Sequence, residues 1–242
     1  MKKLLILLLL LGSQVLVARG SVEYTGGIQQ LSVSNAAPDL LTNWTWAVWI
    51  KPEVCGTCAI VGRWTDSGHG RQIQFDLDGG GGVRKVRVSI PFLAWGVVMG
   101  GTALANGTWY HVAVTRSGNT WTIYLNGVSD GTASNATAQE SGGTFLLLNQ
   151  NTFNVFQGKV AEMCGWDAVL TAGEISALAH GTPPNRIRAT KIKYYWPFHT
   201  RNTVGVIHYW PDLGGGAWTA TASGSDDLIS DHAPVSPLGG AN

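Results

Sequence analysis

Residues 107–128, GTWYHVAVTRSGNTWTIYLNGV, constrain this chain more than any other stretch. Trp109, His111, Ala113 and Thr115 alternate with Tyr110, Val112, Val114 and Arg116, and a period of two carried by β-branched and aromatic residues specifies a strand. Ser117-Gly118-Asn119 supplies residues that tolerate positive φ, as a tight hairpin requires. The return strand sets Trp121, Ile123 and Leu125 on one face and Thr120, Thr122 and Tyr124 on the other. Asn126-Gly127 is a second turn signal. The chain is therefore folded back and forth in antiparallel ladders, with Trp109 and Trp121 expected as separate core anchors of the hairpin.

The rest of the chain repeats this pattern. Val22, Tyr24, Leu31 and Val33 suggest two short opening strands. Trp44 to Lys51 is apolar on both faces, as in a central strand covered on two sides. Arg71 to Leu77 alternates Ile73, Phe75 and Leu77 inward with Gln72, Gln74 and Asp76 outward, and Val83 to Ile90 returns with Val86, Val88 and Ile90 on one face. Pro91 to Leu104 reads as a strand and a loop, and Ser129 to Gly143 as a polar surface loop. Thr144 to Leu148, Phe153 to Cys164 and Lys191 to Phe198 are further strands, the last expected to pair with the opening strands. Leu170 to Gly181 is the one helix: Thr171 and Glu174 form a capping box, Ile175, Leu178 and Ala179 an apolar stripe, and Gly181 the stop before Pro183-Pro184. The predicted helix packs on a sheet edge.

The hairpin pattern W-x-H-V-A-V-T-R-x-G-x-x-W-x-I-Y-L-N-G resembles the central hairpin of laminin-G-like and pentraxin-like domains, members of the concanavalin A-like superfamily. The likeness extends upstream to WTWAVWIKP (Trp44–Pro52) and downstream to FQGKVAEMCGWDAVLTAGEISALAHG (Phe156–Gly181), which is similar to that family's last core strand and helix. The stretch YYWPF…PDLGGGAWTATAS resembles the tail that follows such domains in some secreted and phage-encoded proteins. The resemblance implies an all-β fold: a two-sheet antiparallel jelly-roll sandwich with one short helix near 171–180. That sandwich hosts lectins, hydrolases, adhesion modules and virion parts, so the fold alone does not name a function.

The first 20 residues read as a signal peptide, with Lys2 and Lys3 before an apolar run from Leu4 to Leu11 and small residues in Ala18-Arg19-Gly20. Cleavage after Gly20 leaves residues 21–229 as the sandwich domain and 230–242 as a flexible Pro/Gly-rich tail. The protein is then expected outside the cytoplasm, secreted or at a cell or virion surface, with no membrane insertion after cleavage. Cleavage removes Lys2, Lys3 and Arg19, so 16 basic residues become 13 against 15 acidic, a net charge of −2. That near-neutral balance argues against a nucleic-acid partner. The basic run Arg84-Lys85-Val86-Arg87 alternates along a strand and reads as a solvated face.

Cys55-Gly-Thr-Cys58 precedes a strand rather than a helix, which argues against thioredoxin-type chemistry. A disulfide between Cys55 and Cys58 in an exported protein, with Cys164 as a buried thiol, is the expected arrangement. Pairing of Cys164 with either of the other two is the alternative.

Catalysis lacks a motif. A retaining glycosidase needs two carboxylates ~5 Å apart, and the E-x-D-x-x-E pattern of laminarinase-like relatives is absent. Glu162 and Asp167 are five positions apart, on opposite faces of a strand. His111 reads as a core or hydrogen-bonding residue. Glycan binding needs aromatic platforms and planar polar groups, and Trp64, Asp66, His69, Asp76, Asp78 and Trp95 could meet on one rim. Asp76 and Asp78, in the run Asp76-Leu77-Asp78-Gly79, are candidate calcium ligands, although Asp-Gly is first of all a hairpin signal. Asn43, Asn106 and Asn135 head glycosylation sequons, read as chance matches. The sequence thus points to an exported, non-catalytic binding module for carbohydrate or a cell-surface polymer. A structural or adhesion component of a virion or surface assembly, with a protein partner, is the alternative, and a glycoside hydrolase the third reading.

Overall fold

The computed structural model describes residues 21–24, 31–33, 42–53, 57–64, 74–78, 83–90, 94–138, 144–147, 156–198, 202–204, 207–210, 213, 220–223 and 227–229. In chain order the strands are β1 (Ser21–Tyr24), β2 (Leu31–Val33), β3 (Asn43–Pro52), β4 (Cys58–Trp64), β5 (Gln74–Asp78), β6 (Lys85–Ile90), β7 (Ala94–Met99), β8 (Tyr110–Ser117), β9 (Thr120–Leu125), β10 (Val128–Ser134), β11 (Thr144–Leu147) and β12 (Gly158–Trp166). Helix α1 (Ala172–Ala179) follows, then β13 (Ile192–Trp196), β14 (Asn202–Val204), β15 (Ile207–Trp210), β16 (Ala220–Ser223) and β17 (Asp227–Ile229). Among the described residues they build two antiparallel sheets. Sheet A runs β10-β9-β8-β3-β12-β1-β17 with β13 also on β12, and sheet B runs β14-β15-β16-β2-β11-β4-β5-β6-β7.

The organising hairpin is β8-β9. Its loop is Gly118-Asn119, flanked by the pair Ser117↔Thr120. Gly118 takes φ +57°, as a type II′ turn asks of its first loop residue. The next loop, Asn126-Gly127, has positive φ at both positions (+49° and +84°), the type I′ pattern. β3 lies between β8 and β12, and Trp44 to Ile50 are all buried, so the central strand is covered on both faces as its sequence predicts.

The inner faces interdigitate in one core. Sheet A contributes Trp44, Trp46, Val48, Ile50, Val112, Val114, Trp121 and Ile123, and sheet B contributes Ile60, Phe75, Leu77, Val86, Val88 and Ile90. Trp46 stacks on Tyr194, and Tyr194 on Trp196, at centroid distances of 5.3 and 5.5 Å. Gly165 makes that stack possible, because a Cβ there would lie 2.9 Å from the Tyr194 ring.

Helix α1 lies on the outer face of sheet A rather than on an edge. Across adjacent strands the register aligns Tyr124, Ala113, Ala47, Cys164 and Tyr195. Three small side chains between two tyrosines form a trough, and Ile175 and Leu178 of the helix pack into this outer cluster. The helix opens with the expected capping box of Thr171 and Glu174. Thr45, wholly buried, donates to the Ala168 carbonyl and accepts from Leu170 N–H, which pins the segment leading into the helix.

Four further expectations are corrected. Residues 129–134, read as the start of a loop over Ser129 to Gly143, belong to edge strand β10, because an edge strand needs pairing on one side only and its polar residues are solvated on the other. β13 pairs with β12 and not with the opening strands. β1 takes Gly158–Val160 and β13 takes Met163–Trp166 of the same β12 edge, on either side of a bulge. Trp109 precedes β8 and is half-buried against Trp49 and Ala161 on the outer face, whereas Trp121 is fully buried. Asp76 is not solvated but wholly buried. Cys164 is a buried thiol of the outer cluster. Cys55, residues 1–20 and residues 230–242 lie outside the described residues.

Candidate functional site

The alternation of β5 and β6 puts two acids and an arginine on the outer face of sheet B, since Asp76 pairs with Arg87 across the ladder. The Arg87 guanidinium grips Asp76 bidentately, Nε to Oδ1 at 3.0 Å and Nη2 to Oδ2 at 2.9 Å. Its Nη1 lies 3.1 Å from an Asp78 oxygen. Burial works against the Arg87 charge, but the Asp76 hydrogen bond and both carboxylates outweigh it and hold the pKa above its ordinary value. Arginine thus supplies the counter-charge that lets Asp76 be buried. As calcium ligands, Asp76 and Asp78 would have to release it.

The register fixes where the other proposed rim residues start from. Gly62, Gln74 and Ser89 stand at one level of sheet B, and Ala94 pairs with Ile90 just beyond it. Trp64, the last residue of β4, and Trp95, the second of β7, therefore share the same end of the sheet. β4 and β7 are three strand spacings apart, about 14 Å. Asp76 lies two residues down from the Gln74 level and Asp78 four, about 7 and 13 Å along the strand. The backbone brings the two tryptophans to one end and leaves the two aspartates progressively farther away. Asp66 and His69 fall between β4 and β5, outside the described residues.

The sequence reading missed a second polar cluster, on the outer face of sheet A. β12 bulges between Ala161 and Cys164, and Glu162 there adopts a left-handed φ of +53°. Such a backbone costs a non-glycine residue of order 1–3 kcal/mol and persists only where its surroundings fix it. Here Tyr195 donates its hydroxyl to Glu162 Oε2, and Glu162 N–H reaches the Pro197 carbonyl at 3.3 Å. Glu162 is 5% exposed. Across β3 stands His111, 2% exposed, its ring edge-on to Trp49 at 5.3 Å. Asn126 clamps the His111 backbone twice, accepting from its N–H at 2.9 Å and donating to its carbonyl at 2.8 Å.

His111 Nδ1 meets no hydrogen-bond partner among the described residues. Burial lowers its pKa to about 3, so the ring is neutral across the ordinary pH range. Ala47, Trp49, His111, Glu162, Leu178, Thr182 and Pro184 line a cleft there with room for about one water molecule, roughly 10 Å3. A water or a single hydroxyl fits; a sugar ring does not. A histidine with so low a pKa is a weak general base at neutral pH, and the glutamate is already held by Tyr195. The signals in the sequence were the W-x-H run and Asn126-Gly127, but nothing in the residue types announced the bulge that turns Glu162 inward.

Residues 25–176 match the family Laminin_G_3, described as the concanavalin A-like lectin/glucanases superfamily. Over 115 residues the chain is 28% identical to the sushi, von Willebrand factor type A, EGF and pentraxin domain-containing protein 1 of Rattus norvegicus. That match covers 42% of this chain and 3% of the far longer rat protein. Among solved structures, a protein of Bacteroides ovatus ATCC 8483, provisionally described as a carbohydrate binding protein, superposes with a TM-score of 0.65. The two are 17% identical, and the match covers 90% of this chain and 62% of that one. The heptameric SAP-like pentraxin of Limulus polyphemus gives 0.53 at 19% identity, over 69% of this chain and 84% of that one.

Proposed function

The chain belongs to the concanavalin A-like lectin/glucanases superfamily, and from that premise we propose that it is an exported, non-catalytic binding module for carbohydrate or a cell-surface polymer. The observation that carries the reading is the strand register that brings Trp64 and Trp95 to one end of sheet B. Two tryptophan positions about 14 Å apart across the strands match separate units of an extended glycan, and tryptophan combines a large apolar ring with a polar N–H. Asp66 and His69 belong to the same proposed rim. Asp76 and Asp78 act behind it by holding Arg87, and no calcium enters the proposal.

The absence of catalysis is supported by where the described buried carboxylates lie. Asp76 is on sheet B and Glu162 on sheet A, each engaged by a neighbour. Asp78, the carboxylate that shares Arg87 with Asp76, is likewise tied to the arginine, so all three are engaged rather than poised as the acid and nucleophile of a retaining glycosidase. The exported part of the proposal rests on the signal-peptide pattern of residues 1–20. The reading includes a Cys55–Cys58 disulfide, which the buried Cys164 thiol supports by leaving Cys55 as the partner for Cys58.

A glycan array probed with the secreted protein, with and without calcium, tests the proposal. Binding should survive chelation, and Trp64→Ala combined with Trp95→Ala should abolish it while the melting temperature stays within a few degrees of wild type. An empty array, together with self-association on sizing chromatography, would replace the binding reading with a structural one.

A further inference from the structure

The segment joining α1 to β13, taken with the first two residues of that strand, carries Arg186, Arg188, Lys191 and Lys193 within eight residues and no acidic residue. The whole chain has 16 Lys and Arg in 242 residues, about one in fifteen, so this is a strong local concentration of charge. It is also a rigid one. Trp166 donates its indole N–H to the Ile187 carbonyl at 2.8 Å, and Asp167 N–H reaches the Lys191 carbonyl at 2.8 Å. Ile192 is buried in the outer cluster and Ile187 packs against it. Two 3-10 turns, Pro184–Arg186 and Ala189–Lys191, fix the backbone between them, with Arg188 at φ +40°. The isoleucines point in, and the two arginines and Lys191 are exposed.

Glu174 neutralises Arg188 at 2.7 Å, and Asp167 lies 3.7 Å from Lys193. Arg186 and Lys191 have no acidic partner among the described residues.

We infer that this connector is an anion-binding surface that takes the carboxylate groups of an acidic polysaccharide. The inference rests on the carbohydrate reading above and names a second point of contact for the same ligand class. On a pinned backbone no main-chain ordering opposes the binding of a carboxylate, and Arg186 offers the planar fork that matches it. The residues beside the cations are Ala189 and Thr190, small and exposed. They provide neither the apolar wedge that inserts into a bilayer nor the aromatic platform on which nucleic-acid bases stack.

Polygalacturonate is the probe, with dextran as the neutral control and duplex DNA and phosphatidylserine vesicles as anionic controls. The secreted protein should bind polygalacturonate at low salt, weakening steeply as salt rises, and the R186Q/K191Q variant should bind at least tenfold more weakly at an unchanged melting temperature. Failure to bind polygalacturonate, or undiminished binding by the variant, would overturn the inference. Equal binding to DNA or to the vesicles with the same loss in the variant would also overturn it, by making the surface a general anion site. Neutral-glycan binding lost in the Trp64 and Trp95 variant but kept in R186Q/K191Q separates the fate of the proposed function from that of this surface.

Discussion

Trp121→Ala should unfold this domain far more readily than Trp109→Ala, although both tryptophans flank the same hairpin. Trp121 has no exposed surface. It meets Trp44 edge-on at a centroid distance of 5.7 Å, the Arg116 guanidinium lies 4.5 Å from its ring centre, and its indole N–H donates to the Asn135 carbonyl at 3.1 Å. Removing a buried tryptophan costs ~3–5 kcal/mol. The desolvated cation–π contact with Arg116, which is itself 4% exposed, and the lost hydrogen bond place this site at the upper end, about 5 kcal/mol. Trp109 is half-buried and packs against the small outer cluster of Trp49 and Ala161, so about 2 kcal/mol is expected. At ~2–4 °C per kcal/mol for a domain of this size, Trp121→Ala should lower the melting temperature by about 10–20 °C and Trp109→Ala by about 4–8 °C. Differential scanning calorimetry of the purified proteins measures both. Equal shifts, or a larger one for Trp109→Ala, would refute the division of the two tryptophans between core and outer face.

Four further outcomes are expected. The folded-state pKa of His111, about 3, lies below the ordinary 6.5, so the unfolded chain takes up more protons between those values and stability falls as pH drops through that window. The loss at pH 4.5 is about 3 kcal/mol; chemical denaturation from pH 7 to 4.5 should show it, and His111→Gln should flatten the slope whatever its effect at pH 7. Asp76→Asn leaves Arg87 with Asp78 as an acidic neighbour and should cost about 3 kcal/mol, read from the urea midpoint; a neutral result would mean that the buried ion pair contributes nothing. Thr171→Ala removes the side-chain half of the capping box and should cost about 1 kcal/mol, with faster amide exchange confined to the start of α1. Thiol titration of the denatured, unreduced protein should find one thiol, and peptide mapping that joined Cys164 to another cysteine would reject the proposed pairing.

What was legible in the sequence was local. A period of two, Gly118-Asn119, Asn126-Gly127 and the Thr171/Glu174 box each act within a few residues, and each formed where its pattern lay. Features that depend on a distant partner were not legible. Alternation assigned Asp76 to solvent, yet Arg87 from the next strand buries it. The helix seat exists because Ala47, Ala113 and Cys164, far apart in the chain, line up in one row. Nothing about a glutamate announces a left-handed bulge, so the Glu162–Tyr195 contact and the small cleft beside His111 went unread. The proposed rim was legible by residue type, while the distance of Asp76 and Asp78 from its tryptophan end emerged from the register.

The divided edge of β12 bears on how the chain reaches its native state. β1 pairs with β12 through Val22↔Val160 and with β17 through Val22↔Leu228. Both partners of the N-terminal strand are synthesised after more than half of the chain has followed it. Contacts that close loops of such length make folding slow. β1 therefore stays an unpaired ribbon while β3, β8 and β9 find each other early. A first strand that its neighbours in sequence cannot lock is expected to be among the last elements fixed, so the sandwich closes in an order opposite to the one in which the chain is written.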